Sequence, residues 1–123
     1  MRQVCEVPGH GDAFLESVNT LSPDCVTSLY FYLEALETED PEVSEPQDEE
    51  CELCGVIDLS YELFCATIPG CRTHRLVLTI DRAEARVFVH ALLRGRSRNC
   101  AEAYRIAAAQ LQLDDKPWEP RHD

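Results

Sequence analysis

The first half of this 123-residue chain is almost devoid of positive charge. No Lys or Arg lies between Arg2 and Arg72, whereas sixteen Asp and Glu residues fall within positions 3–71. The formal net charge of −12 therefore comes from this half. Because acidic side chains repel phosphates, we expect no nucleic-acid partner, and a protein partner with basic groups fits better.

Long apolar runs are also missing. No stretch approaches the roughly 20 apolar residues that a membrane-spanning helix needs, so no membrane contact is expected. The N-terminus has no basic segment followed by an apolar one, so secretion is not indicated. A reducing compartment is therefore expected, and in such a compartment thiols are more often free or metal-bound than paired. We therefore expect the seven cysteines to be free or to bind metal.

No pattern typical of a catalytic site stands out. The sequence shows no Gly-rich phosphate loop, no paired-carboxylate motif and no Ser/His/Asp or Cys/His order. Its four histidines are scattered along the chain: His10, His74, His90 and His122. We therefore expect a protein that is not an enzyme, with His90 in a structural role.

Residues 1–50 are predicted to form a flexible acidic arm with short amphipathic segments. One segment has apolar side chains at helical spacing, which favours a short docking helix: Phe14, Leu15, Val18 and Leu21. Residues 37–50 hold eight acids and two prolines. Such a segment buries too little apolar surface to offset chain entropy, so a disordered linker is expected there.

A helix start is predicted at Ser22-Pro23-Asp24, since Ser caps helices, Pro suits the first position and Asp suits the positive end. An apolar stripe follows at helical spacing: Val26, Leu29, Tyr30, Leu33 and Leu36. Two interpretations stay open. Residues 24–37 form either a core helix or a linear segment that binds a partner's groove through Leu29, Tyr30, Phe31, Leu33 and Glu34.

Residues 51–113 are predicted to form a small α+β domain, and residues 114–123 a tail in which Trp118 folds back or binds a partner. Alternating apolar residues predict one strand from Ile57 to Cys65 and another over 74–80, joined as an antiparallel hairpin. Segment 56–60, which follows several acids, also resembles a SUMO-interacting motif. Its alternation favours the strand.

Two helices are predicted to complete this domain. Asp81 with Glu84 forms a capping-box pattern that opens a helix, and Gly95 ends it. A second cap, Asn99 with Glu102, opens the last helix, whose small-residue face suits close packing: Cys100, Ala103, Tyr104, Ala107 and Leu111. Because so small a domain gains burial by dimerisation, a homodimer through the last two helices is expected.

The cysteines around the predicted strands suggest a metal site. Cys65 and Cys71 precede the second strand, and Cys100 lies about thirty residues farther on. Two sulfur clusters bridged by a strand and a helix are typical of a small domain that is held by zinc. The predicted ligands are thus Cys65, Cys71 and Cys100, with His74 or Cys54 as a possible fourth.

The order of these segments resembles the papillomavirus early protein seven family of retinoblastoma-binding oncoproteins over most of residues 10–107. The likeness is carried by His10-Gly11-Asp12, Leu29-Tyr30-Phe31-Tyr32-Leu33-Glu34 with the acids that follow, Leu76-Val77-Leu78 and Leu92-Leu93-Arg94-Gly95. Phe31 and Leu33 stand where that family has the Cys and Glu of its retinoblastoma-binding motif.

The resemblance implies a non-enzymatic adaptor that binds host regulatory proteins through its N-terminal arm. It also implies a zinc domain that forms a homodimer, and a location in the host nucleus and cytoplasm. The alternative is a compact globular protein-interaction domain with a core helix at 24–37 and no metal.

Overall fold

A computed structural model describes residues 1–41, 53–95 and 99–120 of the chain. Within these ranges, six strands form one sheet and three helices pack on it. The elements in chain order are β1 (Gln3–Glu6), α1 (Gly11–Val18), α2 (Pro23–Ala35), β2 (Leu53–Ile57), β3 (Tyr61–Ile68), β4 (Cys71–Asp81), β5 (Arg86–Arg94), α3 (Cys100–Leu111) and β6 (Trp118–Pro120). The predicted α+β class is confirmed.

The strands lie in the order β1-β5-β4-β3-β2-β6. β1 runs parallel to β5, and every other neighbouring pair is antiparallel. The consecutive strands β3, β4 and β5 form the centre, and β3 and β4 include the predicted hairpin around Pro69-Gly70. Gly70 has a φ of +86°, which a glycine adopts readily in a tight turn.

The sheet has a hydrophobic core on each face. α1 and α2 cover the first face, and the largest side chains of that core are buried: Phe14, Leu29, Leu36, Phe64, Ile68, Leu76, Leu78 and Ile80. α3 covers the second face over a smaller set: Cys54, Ile57, Leu63, Cys65, Val77, Ala103 and Ala107. Since full burial of one large apolar side chain contributes about 1.5–3 kcal/mol, both layers stabilise the sheet.

The start of α2 agrees with the sequence prediction. Ser22 is the N-cap, and its hydroxyl accepts a hydrogen bond from the Cys25 amide at 3.3 Å, while Pro23 occupies the first turn. Leu29 is fully buried in the first core and Leu36 is 1% exposed. The structure therefore agrees with the interpretation of this segment as a core helix.

The prediction of a flexible arm over 1–50 is wrong for residues 1–41. These residues contribute β1, α1 and α2. The Arg2 amide donates to the Glu37 carbonyl at 2.7 Å, which ties the start of the chain to the segment after α2. The amide of Gln3 donates to Ala85 at 2.9 Å. The remaining residues, 42–50, lie outside the described part of the chain. Long-range strand pairing, which local composition does not reveal, orders this region.

The predicted helix between Asp81 and Gly95 is also wrong, because this segment turns and becomes β5. Asp81 does accept a hydrogen bond from the Glu84 amide at 3.3 Å, but Ala85 then takes a φ of +52° and closes a hairpin. β5 pairs with β4 from Arg86 to Arg94, with one register shift at Val77/Leu78 where His90 has no direct partner. Its Val and Phe side chains suit a strand, and pairing satisfies the backbone groups of β4 that a helix would leave open.

The single strand predicted from Ile57 to Cys65 is two strands. Ile57 ends β2 and faces Tyr61 at the start of β3, with a turn between them. Asp58 and Leu59 both have positive φ values, of 53° and 59°, as in the turns that suit the twist of a β-hairpin. Segment 56–60, which was also compared with a SUMO-interacting motif, therefore spans a strand end and this turn.

The predicted tail forms the last strand. Residues 118–120 pair with β2, and Trp118 stacks on Tyr104 with 4.4 Å between ring centroids and 7° between ring planes. Gly55, whose φ is +125°, permits this approach, because a Cβ there would collide with the Glu119 carbonyl. Of the two predicted roles for Trp118, the structure shows that it folds back onto the domain.

α3 begins as predicted, with the Asn99 side chain accepting from the Glu102 amide at 3.1 Å. Its small-residue face, however, lies against the chain's own sheet, where Ala103 and Ala107 are fully buried. The surface expected to form a dimer is thus occupied inside the chain, and the second helix expected there is β5. Homodimerisation itself stays a prediction.

Candidate protein-binding surface

The outer face of α2 carries two exposed aromatic side chains. Leu29 points into the core at 0% exposure, whereas the next two residues, Tyr30 and Phe31, are 52% and 69% exposed. Glu34 lies one turn farther along and is also exposed, while Leu33 is partly buried against the first core. Helix geometry places positions 30, 31 and 34 on one side, since residues three and four apart are neighbours.

The sequence-predicted binding residues are therefore split by the fold. Tyr30, Phe31 and Glu34 form an outer surface, which we call the α2 aromatic surface. Leu29 and most of Leu33 belong to the core. A groove that required Leu29 would have to extract α2 from the sheet, and this would expose the first core.

The surroundings of the α2 aromatic surface are acidic. Asp24 lies in the first turn of α2, and Glu37 and Glu39 follow its last turn. No Lys or Arg occurs in the chain between Arg2 and Arg72. Tyr30 and Phe31 thus lie on a helix whose start, outer side and C-terminal flank carry carboxylates.

Asp40 fixes the chain just beyond α2. Its carboxylate bonds Arg2 at 2.5 Å and Arg82 at 3.0 Å, and Arg82 also pairs with Glu62. Hydrogen bonds from Arg82 and then Arg2 lower the pKa of Asp40 below its ordinary value. This junction anchors the acidic segment that follows α2 to the turn between β4 and β5.

The three predicted zinc ligands do not converge on one point. Cys71 forms a disulfide with Cys25 that joins β4 to α2. Cys100 forms a disulfide with Cys54 that joins α3 to β2, and Cys65 is a buried free thiol. Within the described ranges, no group of three His, Cys, Asp or Glu side chains is placed to hold a metal ion.

Four cysteines thus differ from the expectation of free or metal-bound thiols. Each disulfide joins residues 46 positions apart, a separation that gives a sequence no local signal. A sulfur held in a disulfide does not ligate zinc, so the residues do not form the predicted site in this state. Zinc binding by Cys65, Cys71 and Cys100 stays a prediction for the reduced chain.

An open cavity of about 510 Å³ lies where the turn between α1 and α2 meets the start of β4 and the end of β5. Its walls carry mostly hydroxyl and basic groups: Ser17, Thr20, Ser22, Thr73, His74, Leu92 and Arg94. Burial, and then the nearby Arg94 charge, lower the pKa of His74 below its usual value. Sequence analysis missed this cavity because its residues come from three separate segments.

His90 lies in a buried polar cluster on the other face of the sheet. Its Nε2 is 2.8 Å from the Thr79 hydroxyl and its Nδ1 is 2.7 Å from Gln110 Oε1. Burial lowers the pKa of His90 to about 4, against a smaller opposing effect from the Gln110 hydrogen bond. The ring connects β4, β5 and α3, which agrees with the predicted structural role, although it lies on a strand rather than a helix.

Comparison of the chain with protein-family models, curated proteins and solved structures gave no match. The resemblance to the papillomavirus family therefore stays a prediction. The end of β5 occupies the segment that the resemblance likened to a helix end. None of the three described helices has the length and apolar character that crossing a membrane requires.

Proposed function

We propose that this chain is a non-enzymatic protein-interaction module that binds a regulatory protein through the α2 aromatic surface. The observation that carries the proposal is the exposure of Tyr30 and Phe31 side by side on a helix whose opposite face is fully packed. Adjacent exposed aromatic rings cost solvation free energy in the isolated protein, and aromatic side chains are enriched among the residues that dominate interfaces.

Charge narrows the chemistry of the partner. Glu34 on the surface, in a helix that has Asp24 in its first turn and Glu37 just after its end, favours an apolar groove whose rim carries Lys or Arg. Burial of the Phe31 ring in such a groove contributes about 1.5–3 kcal/mol, and rim charges add mainly association rate and specificity. A host cell-cycle or transcription regulator, the partner class that the resemblance implies, is one candidate.

This mode of binding leaves the fold intact, unlike a linear motif read through Leu29. It uses three of the five sequence-predicted contacts, namely Tyr30, Phe31 and Glu34. An adaptor of this kind is also a compact domain with a core helix at 24–37, which the sequence analysis gave as the alternative.

Quantitative affinity capture tests the proposal. We compare the wild-type chain with a Tyr30→Ser/Phe31→Ser variant, and use Leu59→Ser as a control, because Leu59 is 74% exposed but lies in the turn between β2 and β3. Proteins that bind the α2 aromatic surface should be recovered about tenfold less with the double variant, which corresponds to about 1.4 kcal/mol. Their recovery with Leu59→Ser should match the wild type.

Each captured protein is then purified, and calorimetry measures the affinity of the wild-type chain and its variants for that protein and for the retinoblastoma pocket domain. Circular dichroism must show that both variants keep the wild-type fold. If the double variant and the wild type capture the same proteins in equal amounts, the α2 aromatic surface is not the binding site.

A further inference from the structure

We infer that the open cavity beside the start of α2 is a binding site for a phosphate monoester. The site is independent of the α2 aromatic surface, since none of its lining residues belongs to that surface. Its volume of about 510 Å³ falls in the range of small-molecule sites and exceeds what a single ion fills.

The charge of the lining favours an anionic ligand. Arg94 brings a positive charge to the cavity, and among the residues that the structure describes no Asp or Glu lines it. In residues 1–41, 53–95 and 99–120, no carboxylate lies within ion-pair distance of Arg94, whose side chain is exposed. An arginine with an open guanidinium at a cavity, in a chain with twice as many acids as bases, favours an anionic ligand.

The cavity also supplies hydrogen-bond donors for a ligand. Nδ1 of His74 is 2.8 Å from the Thr73 hydroxyl, and where that hydroxyl donates to Nδ1, the Nε2–H of the ring is left to donate to a ligand. Ser22 accepts from the Cys25 amide, so its own hydroxyl proton is available to donate. His74 and Arg94 are register partners on β4 and β5, so their side chains lie side by side on one face of the sheet, and Ser22 adds a donor from the start of α2. A tetrahedral phosphate can accept from all three, whereas a planar carboxylate offers two oxygens.

Two other hydroxyls of the lining, those of Ser17 and Thr20, can act as acceptors for a ligand. The Ser17 hydroxyl donates to the Ala13 carbonyl at 3.3 Å, and the Thr20 hydroxyl donates to the Ser17 carbonyl at 2.7 Å. Because both protons are used, these oxygens can only accept from a ligand. They would suit a hydroxyl or amino group attached near the phosphate, which is why we assign a monoester rather than the free ion.

The cavity is also held in shape before any ligand arrives. The Cys25–Cys71 disulfide joins the first turn of α2 to the start of β4. The Thr73 hydroxyl lies 3.7 Å from both sulfurs and also contacts His74. Two walls of the cavity are thus covalently linked, and a preorganised site spends less binding free energy on ordering its own groups.

Amide NMR of the full oxidised chain tests the site. We titrate glycerol 3-phosphate and, separately, inorganic phosphate, against sodium chloride at matched ionic strength. Saturable shifts are expected at Thr20, Ser22, Thr73 and Arg94, with glycerol 3-phosphate the tighter ligand by about tenfold because it adds a hydrogen-bonding group. Chloride should produce no saturable shift at these amides.

Arg94→Gln should weaken the binding of glycerol 3-phosphate at least about tenfold, because it removes a charged, forked donor. Arg94→Lys keeps the positive charge but lacks the forked pair of donors. Its affinity for glycerol 3-phosphate should therefore lie between those of the wild type and Arg94→Gln. The control is Arg72→Gln, which removes the same charge from an exposed position on β4 outside the cavity lining.

Three results would overturn the inference. The first is the absence of saturable shifts, and the second is an equal loss of affinity in Arg72→Gln, which would mean attraction by general charge. The third is equal affinity for the two ligands, which would leave the acceptor hydroxyls without a role. The spectra of each variant without ligand show whether it is folded.

Discussion

Single residues in this protein carry roles that their neighbours in the chain do not share. Leu29 and Phe31 are two positions apart, yet one is in the core and the other is 69% exposed. His90 is held among Thr79 and Gln110 in a site with 1% exposure, where a neutral ring is favoured. Burial therefore decides whether a side chain stabilises the fold or faces solvent.

The buried His90 ring should make stability depend on pH. Its folded pKa is about 4, below the ordinary value of 6.5, so the unfolded chain binds more protons between these values. Stability should then fall as pH decreases from 6.5 to 4, by about 3 kcal/mol from this group. Urea unfolding of the wild type and of His90→Gln, measured from pH 7 to pH 4, gives the difference.

The variant should show a flatter profile over this window, since the carboxylates titrate in both proteins. His10→Gln serves as the control, because the His10 charge makes only the smallest of the contributions that shift the pKa of His90, so most of the slope should remain. Parallel profiles for wild type and His90→Gln would contradict the assignment.

Among the elements, turns decide the fold as much as strands and helices do. The turn between β4 and β5 uses the cap-like bond from Asp81 but reverses the chain instead of opening a helix. The turn between β2 and β3 places Leu59, a branched and exposed residue, at a φ of 59°. That conformation costs about 1–2 kcal/mol for a residue with a Cβ.

Replacing Leu59 with Gly should therefore stabilise the protein by about 1 kcal/mol, because glycine adopts positive φ without this steric cost. Thermal unfolding should show a higher Tm for Leu59→Gly. Leu59→Ala is the matched control, since it removes the exposed side chain but keeps the Cβ, and its gain should be small. A gain of equal size in Leu59→Ala would assign the effect to exposure rather than to backbone conformation.

The described molecule is one sheet with a helical layer on each face, and each layer is tied to the sheet by a disulfide. Cys25–Cys71 attaches α2 to β4, and Cys54–Cys100 attaches α3 to β2. The candidate protein-binding surface lies on α2, and the open cavity lies between the α1 and α2 layer and the strands β4 and β5. Their geometry therefore depends on how that layer is held.

Each disulfide should contribute about 3–4 kcal/mol, as estimated from the chain entropy of a loop closed over 46 residues. Cys25→Ser/Cys71→Ser and Cys54→Ser/Cys100→Ser should both lower the urea midpoint, and a reductant should lower that of the wild type. Cys5→Ser, at a free half-buried thiol, is the control and should keep the wild-type response.

Peptide mapping without reductant should recover the two pairs, and other pairings would contradict the structure. Elemental analysis of the same samples tests the zinc prediction. One zinc per chain in the reduced protein, lost in Cys71→Ser or Cys100→Ser, would support it, whereas zinc-free reduced protein would exclude it.

The local starts of structure could be predicted from the sequence. The caps at Ser22 and Asn99 are side-chain bonds to amides a few residues away, so short-range chemistry specifies them. Apolar alternation likewise indicated the hairpin of β3 and β4, and charge counting showed that the first half is acidic. The sequence also predicts Tyr30, Phe31 and Glu34 as contact residues, but it does not show which face of α2 they occupy.

The sequence by itself determined the α+β class, the start of α2, the acidic segment that contains the aromatic residues of α2, and the cap of α3. These features depend on composition and on residues that are near neighbours in the chain. Only the tertiary structure decided that residues 86–94 form a strand, that Leu29 points inward, which cysteines pair and that three segments line an open cavity. Each of these depends on contacts between residues far apart in the chain. Pairing with β4 outweighs the local preference for a helix at Asp81, and it is packing on the sheet that leaves Tyr30 and Phe31 exposed.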